Sequence, residues 1–259
     1  MAEYQFCKVE DEGRIRIVTL NRPEVLNALH SDAHLELEQV WDEFAARDDL
    51  WVGIVTGAGD RAFSAGNDLK VQASGKRGQG ARTGFAGICN RFDLDKPLIA
   101  AVNGVAMGGG FEIALACDII IAAENAIFAL PEPRVGLIAG AGGVHRLPRM
   151  IPQKQALGMI LTGRRVPASE GKELGFVTEV VPQGEALVAA KRWAEMILEC
   201  SPMAVRTSKQ AVYRGMNEPT LRDALNARYP MQEAMMKSED YIEGPKAFAE
   251  KRKPNWKNK

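Results

Sequence analysis

The chain has 259 residues, 46% of them hydrophobic and 25% charged, and its 33 Lys and Arg are matched by 33 Asp and Glu. That length allows one large domain, or a domain with an appendage, and a substantial buried core; balanced charge leaves no overall basic field for nucleic acid or an anionic membrane. Four widely spaced cysteines (Cys7, Cys89, Cys117 and Cys200) form no CxxC or Cys/His ligand pattern and fit a reduced, cytoplasmic setting.

The opening Met1-Ala-Glu-Tyr-Gln-Phe has neither a basic n-region nor an apolar h-region, so no secretory leader is expected. Arg14 to Leu20 alternates and is β-branched, which predicts a strand. From Asn27 to Arg47 the apolar Leu35, Val40, Trp41 and Phe44 predict a helix, capped by Ser31 or Asp32. Trp51 to Thr56 reads as a buried strand stopped by Gly57-Ala-Gly59, and Phe63 to Leu69 as a loop. The Gly/Lys/Arg-rich stretch Gln72 to Arg82 is poorly patterned and is expected to be mobile. Pro97 to Val102 predicts a strand, Gly110 to Ala116 a helix and Asp118 to Ala122 another strand. Strands alternating with helices argue for stacked β/α units. The apolar run Pro97 to Ala123 is interrupted by glycines, Glu112 and Asp118 and will not span a membrane. From Gly184 onward the pattern is nearly all helical, with breaks at Ser201-Pro202 and Glu218-Pro219 and a charged tail punctuated by Pro245 and Pro254.

Two carboxylates stand apart from this pattern. Glu112 follows three glycines in Val102-Asn-Gly-Val-Ala-Met-Gly-Gly-Gly-Phe-Glu112. Glu132 sits between prolines in Phe128-Ala-Leu-Pro-Glu132-Pro-Arg-Val-Gly136, ahead of Gly140-Ala-Gly-Gly143. Both segments are placed at turns beside a sheet. A surface carboxylate needs no such surroundings, whereas a proton-passing pair needs bare backbone amides near the same ligand. Other motifs carry less. His30 and His34 have i, i+4 spacing but lack the zinc-helix glutamate and a third ligand, so packing or surface roles are expected and no metal is called for. His145 is expected to cap or pack near Gly143. Gly140-Ala-Gly142-Gly-Val-His145 fails the last glycine of a dinucleotide loop and follows no clear strand. No GxSxG, P-loop or paired Cys/His occurs, and Met203, Met216, Met231, Met235 and Met236 read as core or interface.

Leu20-Asn-Arg-Pro23 with Asn27-Ala-Leu29, Phe63-Ser-Ala-Gly-Asn-Asp-Leu69, Lys96-Pro-Leu-Ile-Ala-Ala-Val-Asn-Gly104, Gly108-Gly-Gly-Phe-Glu112, Pro131-Glu132, Leu161-Thr-Gly163 and Ala247-Phe-Ala-Glu-Lys-Arg-Lys253 occur in that order. Together they resemble the enoyl-CoA hydratase/isomerase (crotonase) superfamily, from Val18 to the C-terminus. The resemblance implies an α/β fold, a crotonase-like spiral of ββα units over residues 1–198, and a C-terminal helical trimerisation region over 199–259. It also implies a homotrimer or dimer of trimers, acting on an acyl-CoA thioester with no cofactor besides the CoA of the substrate.

By that resemblance the amides of Asn67 and Gly109 form an oxyanion hole for the thioester enolate. Gly109 would be glycine so that a ligand can approach closely. Glu112 takes a proton from water attacking Cβ of a trans-2-enoyl-CoA, Glu132 supplies one to Cα, and the Gly140 amide helps place the water. Two acids sharing one site titrate as a pair. The resemblance further implies CoA or substrate contacts at Val25, Leu26, Ala65, Asn67, Asp68, Leu69, Lys70, Gly108 and Gly109, with Asp68 bracing its loop, and at Phe248 and Lys251 of a neighbouring subunit. Asn67 replaces a smaller residue frequent in the family, which would narrow or polarise the acyl site; Ala139 replaces a frequent proline, which would loosen its loop. Within the superfamily, Phe85-Ala-Gly-Ile through Gly136, with Ser238 to Phe248, most resembles carnitinyl-CoA dehydratases, whose quaternary-ammonium acyl group would want an aromatic or acidic cage. Isomerase activity and a noncatalytic acyl-CoA- or RNA-binding role are the alternatives.

Overall fold

The structure, a computed structural model, describes residues 4–75 and 79–259. Met1 to Glu3, where the leader reading begins, and Lys76 to Gly78, inside the stretch expected to be mobile, lie outside the described residues. The chain divides into two compact units: the described residues up to Arg91 with Leu98–Arg192, and Phe92–Pro97 with Trp193–Lys259.

In the first unit, β1 (Cys7–Glu12) and β2 (Ile15–Leu20) pair antiparallel, and α1 (Ser31–Ala46) follows. Three strand–strand–helix passages come next. They are β3 (Val52–Gly57), β4 (Ala62–Ser64) and α2 (Leu69–Ala73); β5 (Leu98–Val102), β6 (Val105–Met107) and α3 (Gly109–Ala116); and β7 (Ile119–Ala123), β8 (Ile127–Ala129) and, after a 3-10 turn at Glu132–Val135, α4 (Gly143–Met150). Then come α5 (Gln153–Thr162), β9 (Val166–Pro167), α6 (Ala168–Leu174), β10 (Glu179–Val181) and α7 (Ala186–Leu198), within which the second unit begins.

The first strand of each passage joins one sheet, ordered β1-β2-β3-β5-β7-β10, and the second joins another, ordered β4-β6-β8-β9. Neighbours from β2 to β10 in the first sheet run parallel, as do β4, β6 and β8 in the second. Every residue of β3 and β5 is buried, so these strands are apolar throughout instead of alternating. β1 is the edge and carries exposed charge at Lys8, Glu10 and Glu12, which discourages further pairing. Helix α1 buries Ala33, Leu37, Val40, Trp41 and Phe44, one stripe at helical spacing; each large side chain contributes ~1.5–3 kcal/mol on burial. Phe111, Phe128 and Phe176 form a second apolar centre, with ring centroids 5.1–5.2 Å apart.

Several expectations need correction. The cap of α1 is His30, not Ser31 or Asp32; its Nδ1 accepts from the Ala33 amide at 3.2 Å. The loop read over Phe63 to Leu69 begins in β4 and ends in α2, and α2 takes Gln72 and Ala73 from the stretch expected to be mobile. Helix α3 begins one residue earlier than predicted, at Gly109.

The second unit contains α8 (Pro202–Gly215), α9 (Leu221–Asn226), α10 (Pro230–Met236) and α11 (Glu239–Ala249). Gln210 ties it together, donating to Asp95 Oδ2 and accepting from the Met231 amide, each at 3.0 Å. Met203 is buried, whereas Met216 and Met236 are exposed, as are Leu221, Leu225, Ile242 and Phe248. Pro245 lies inside α11 and does not end it. Among the described residues, no helix is long and apolar enough to cross a membrane.

Candidate active site

The site is built where two remote segments zip together. Ala65 N donates to Leu26 O, Leu29 N to Gly66 O and Asp68 N to Leu29 O, each at 2.8 Å. Val25 and Leu26 thereby lie beside the segment Ala65 to Lys70. Buried Asn27 fastens the join: its Oδ1 accepts from Arg22 N, while its Nδ2 donates to Ala58 O and Ala62 O. Leu26 and Asn27 both adopt φ near +55°, the left-handed region. Asp68 is buried and ties its loop: it caps α2 by accepting from Val71 N at 3.3 Å and pairs with Arg22 Nη1 at 3.1 Å. Leu69, Lys70 and Asn67 are exposed.

Because the Leu29 bonds use Gly66 O and Asp68 N, the N–H and C=O of Asn67 point to the opposite side of this short bridge. Its side chain is engaged too: Asn67 Nδ2 donates to Gln72 Oε1 of α2, so the side chain lies along the helix instead of standing free to narrow an acyl site. Gly66 carries φ +86°, and a Cβ there would lie 2.6 Å from Met107 O and 2.7 Å from Gly109 N. The Asn67 loop thus presses against the first turn of α3, where the Gly109 amide has no intrahelical acceptor and carries the positive end of the helix dipole.

A Cβ on Gly109 would meet the Phe85 ring at 2.4 Å, so an aromatic side chain gives a further reason for bare backbone there. Phe85 is held from behind by His34, ring centroids 4.3 Å apart, and His34 Nδ1 accepts from Ala86 N at 3.2 Å. Burial lowers the His34 pKa to about 4, so it stays neutral and keeps that acceptor. The two histidines are therefore a helix cap and a packing residue, and no cluster of three metal-ligating side chains occurs among the described residues.

The two glutamates meet at the start of α3. Glu112, in the first turn, is 3% exposed, and its Oε1 accepts from the Gly143 amide at 2.8 Å. Glu132 opens the turn after β8, and a Cβ on Gly108 would lie 2.7 Å from its Oε1; Gly108 also has φ +53°, a second reason for glycine. Glu132 Oε2 is buried with no hydrogen-bond partner among the described residues. A buried acceptor left so costs ~1–3 kcal/mol, which folding alone does not explain. Gly140 is placed differently from the expectation. Its amide donates to Ile138 O at 2.7 Å, and the glycine cluster reaches the carboxylates through Gly143. Ala139 is buried under this loop. His145 is exposed and its carbonyl accepts from Arg149.

Burial pushes the Glu112 carboxyl up to about 7, opposed by the Gly143 and Ala141 amides and by Arg146, and reinforced by the charge of Glu132. Burial likewise raises Glu132. The sign for stability follows: between the unfolded value near 4.5 and about 7, the native state binds more protons than the unfolded chain, so this group makes stability fall as pH rises. Glu112→Gln, which keeps an oxygen for Gly143, is expected to flatten that fall and to be more stable than wild type at pH 8, by on the order of 3 kcal/mol. Urea midpoints at pH 5 and pH 8 check this; equal pH dependence in both proteins would refute it.

Phe248 and Lys251 belong to the second unit, at and beyond the end of α11; Phe248 is 88% exposed and Lys251 has φ +53°. Phe85, Arg22, Gly143 and Arg146 were missed as site residues. Arg22 sits inside a motif that marked it, but the others are revealed only by contacts across 24 or more residues.

Comparison with known proteins shows the family. The family described as Enoyl-CoA hydratase/isomerase matches residues 10–259. A carnitinyl-CoA dehydratase of Salmonella typhi is 42% identical, covering 95% of this chain and 96% of its own. An enoyl-CoA hydratase structure from Mycobacterium tuberculosis superposes with a TM-score of 0.92 at 37% identity, covering 98% and 99% of the two chains. A carnitinyl-CoA hydratase structure from Mycobacterium avium gives 0.79 at 42% identity, with the same coverage. The fold is crotonase-like, and the chain belongs to the enoyl-CoA hydratase/isomerase family.

Proposed function

We propose that this protein catalyses reversible addition of water to a trans-2-enoyl-CoA, giving a 3-hydroxyacyl-CoA. The observation that carries the reading is the pair at the start of α3: Glu112 with an amide on its carboxylate, and Glu132 with a buried oxygen bare of partners. The amides of Asn67 and Gly109 receive the thioester oxygen as it gains negative charge. Water oxygen bonds to Cβ while Glu112 takes one water proton, the C=C electrons pass to the thioester oxygen, and the enolate then collapses as Cα takes a proton from Glu132. The Gly143 and Ala141 amides and Arg146 oppose the burial that raises the Glu112 carboxyl to about 7, so Glu112 serves as base from near pH 7 upward, and burial raises Glu132 in the direction an acid needs. Gly140 helps place the water only if its amide exchanges Ile138 O for it.

Val25, Leu26, Ala65, Leu69 and Lys70 border the CoA, with Asp68 as brace and Gly108 leaving room for Glu132. Phe248 and Lys251 reach the CoA from a neighbouring subunit of a homotrimer or dimer of trimers; the exposed apolar side chains of the second unit support such an assembly. No metal or further cofactor takes part, and the enzyme works in the cytoplasm on a small-molecule thioester, with no nucleic-acid or membrane partner.

A second reading, a carnitinyl-CoA dehydratase, is favoured by the 42% identity with proteins of that name and by the Phe85 ring against Gly109, an aromatic face suited to a quaternary ammonium. Purified protein is assayed with crotonyl-CoA and crotonobetainyl-CoA, following loss of the enoyl-thioester absorbance. Turnover of crotonyl-CoA with the higher kcat/KM supports the first reading, tenfold preference for the cationic substrate supports the second, and turnover of neither defeats both.

A further inference from the structure

Arg146 spans the site from α4. Its Nη2 donates to Cys89 O at 2.8 Å, its Nη1 lies 3.4 Å from Ala141 O, and its own amide donates to Gly142 O at 2.7 Å. A Cβ on Gly142 would fall 2.1 Å from Nη1, so the guanidinium covers the glycine just before the one whose amide grips Glu112. Cys89 ends the segment that carries Phe85 onto Gly109. One rigid, permanently charged fork therefore joins the Ala141–Gly143 loop to the Phe85–Cys89 segment, both of which lie near Glu112. Building on the acid–base roles above, we propose that Arg146 is a positioning residue that holds the Ala141–Gly143 loop against Glu112 and makes Glu112 easier to ionise than its burial alone allows.

Three groups face Glu112. Glu132, from the turn after β8, opposes its ionisation; Arg146, from α4, favours it; and the Cys89 thiol, pushed up by burial, is neutral. Glu112 is the sole ionisable residue in the sequence of α3 except for the cysteine that follows it. Removing the guanidinium makes Glu112 harder to ionise, so more of the base is protonated at a given pH.

A brace without electrostatic effect would respond to loss of the fork, whereas this role responds to loss of charge. Arg146→Lys keeps the charge and loses the fork; Arg146→Gln loses the charge. Both are compared with wild type by 13C NMR titration of carboxyl-labelled glutamate, without substrate, the Glu112 resonance being assigned by its loss in Glu112→Gln. Glu112 is expected to titrate about one pH unit higher in Arg146→Gln and within about half a unit of wild type in Arg146→Lys. With crotonyl-CoA, the acid limb of kcat should move up in Arg146→Gln, and kcat at pH 7 should fall ~10–100-fold while KM changes less than about threefold. An unmoved Glu112 titration in folded Arg146→Gln overturns the proposal. If that variant does not fold, a displacement of more than about one unit in Arg146→Lys overturns it. A shifted titration in a protein that hydrates no enoyl thioester supports the Arg146 role and removes the hydratase reading.

Discussion

Replacing either glutamate by glutamine is expected to lower kcat for hydration of crotonyl-CoA by ~10²–10⁴-fold, the usual loss when a positioned acid or base is removed. The substitution preserves shape, and at Glu112 it preserves an oxygen for the Gly143 amide, so the loss is chemical rather than structural. KM should change by less than tenfold, because neither carboxylate is placed against the CoA moiety. The double variant should fall little below the worse single one, since the two act as a unit on one water. Steady-state kinetics on the three variants checks this. Full activity in either single variant would remove the paired mechanism, and retention in Glu132→Gln alone would leave hydration to Glu112.

Gly66→Ala is expected to be strongly damaging. Its φ of +86° disfavours any side chain, and the new Cβ would press on backbone atoms, Met107 O at 2.6 Å and Gly109 N at 2.7 Å, which cannot rotate away. Loss of ~3 kcal/mol or more in stability is predicted, the left-handed backbone accounting for ~1–2 kcal/mol of it. Separating the Asn67 and Gly109 amides should also cost ~10²–10³-fold in kcat in whatever protein remains folded. Gly75→Ala is the control, because it has a similar φ of +73° and nothing within 4 Å of the added atom. Denaturant midpoints and kcat for both variants decide the matter. Equal losses would mean that the packing of the two loops contributes nothing beyond local backbone strain.

Much of the first sheet was legible from residue types. β2, β3, β5 and β7 are apolar and β-branched because parallel central strands are covered on both faces, and that text has few other readings. The second sheet was not legible: β4, β6 and β8 are three residues each, shorter than the window in which alternation can be recognised. β1 was hidden by Lys8, Glu10, Asp11 and Glu12, which an exposed edge tolerates. Pro148 lies inside α4 and obscured that helix, which supplies both the Gly143 amide and Arg146.

At the site, the glutamates announced themselves through neighbouring glycines and prolines. What they touch did not. Gly143 reaches Glu112 across 31 residues, and Arg146 reaches Cys89 across 57. Local pattern carries no information about such pairs, because they depend on how successive ββα passages stack. The same limit explains Gly109, whose bare backbone answers to Phe85, and Asn67, whose side chain answers to Gln72.

The central claim is that the two carboxylates deliver the elements of water across Cα and Cβ. Its most direct test is to incubate the purified protein with crotonyl-CoA in ¹⁸O-labelled D2O and examine the products by mass spectrometry and NMR. The account predicts one ¹⁸O at Cβ and one deuterium at Cα in the same 3-hydroxyacyl-CoA molecule, with no label at Cγ. Deuterium at Cγ without ¹⁸O at Cβ would contradict it, assigning the site to double-bond migration.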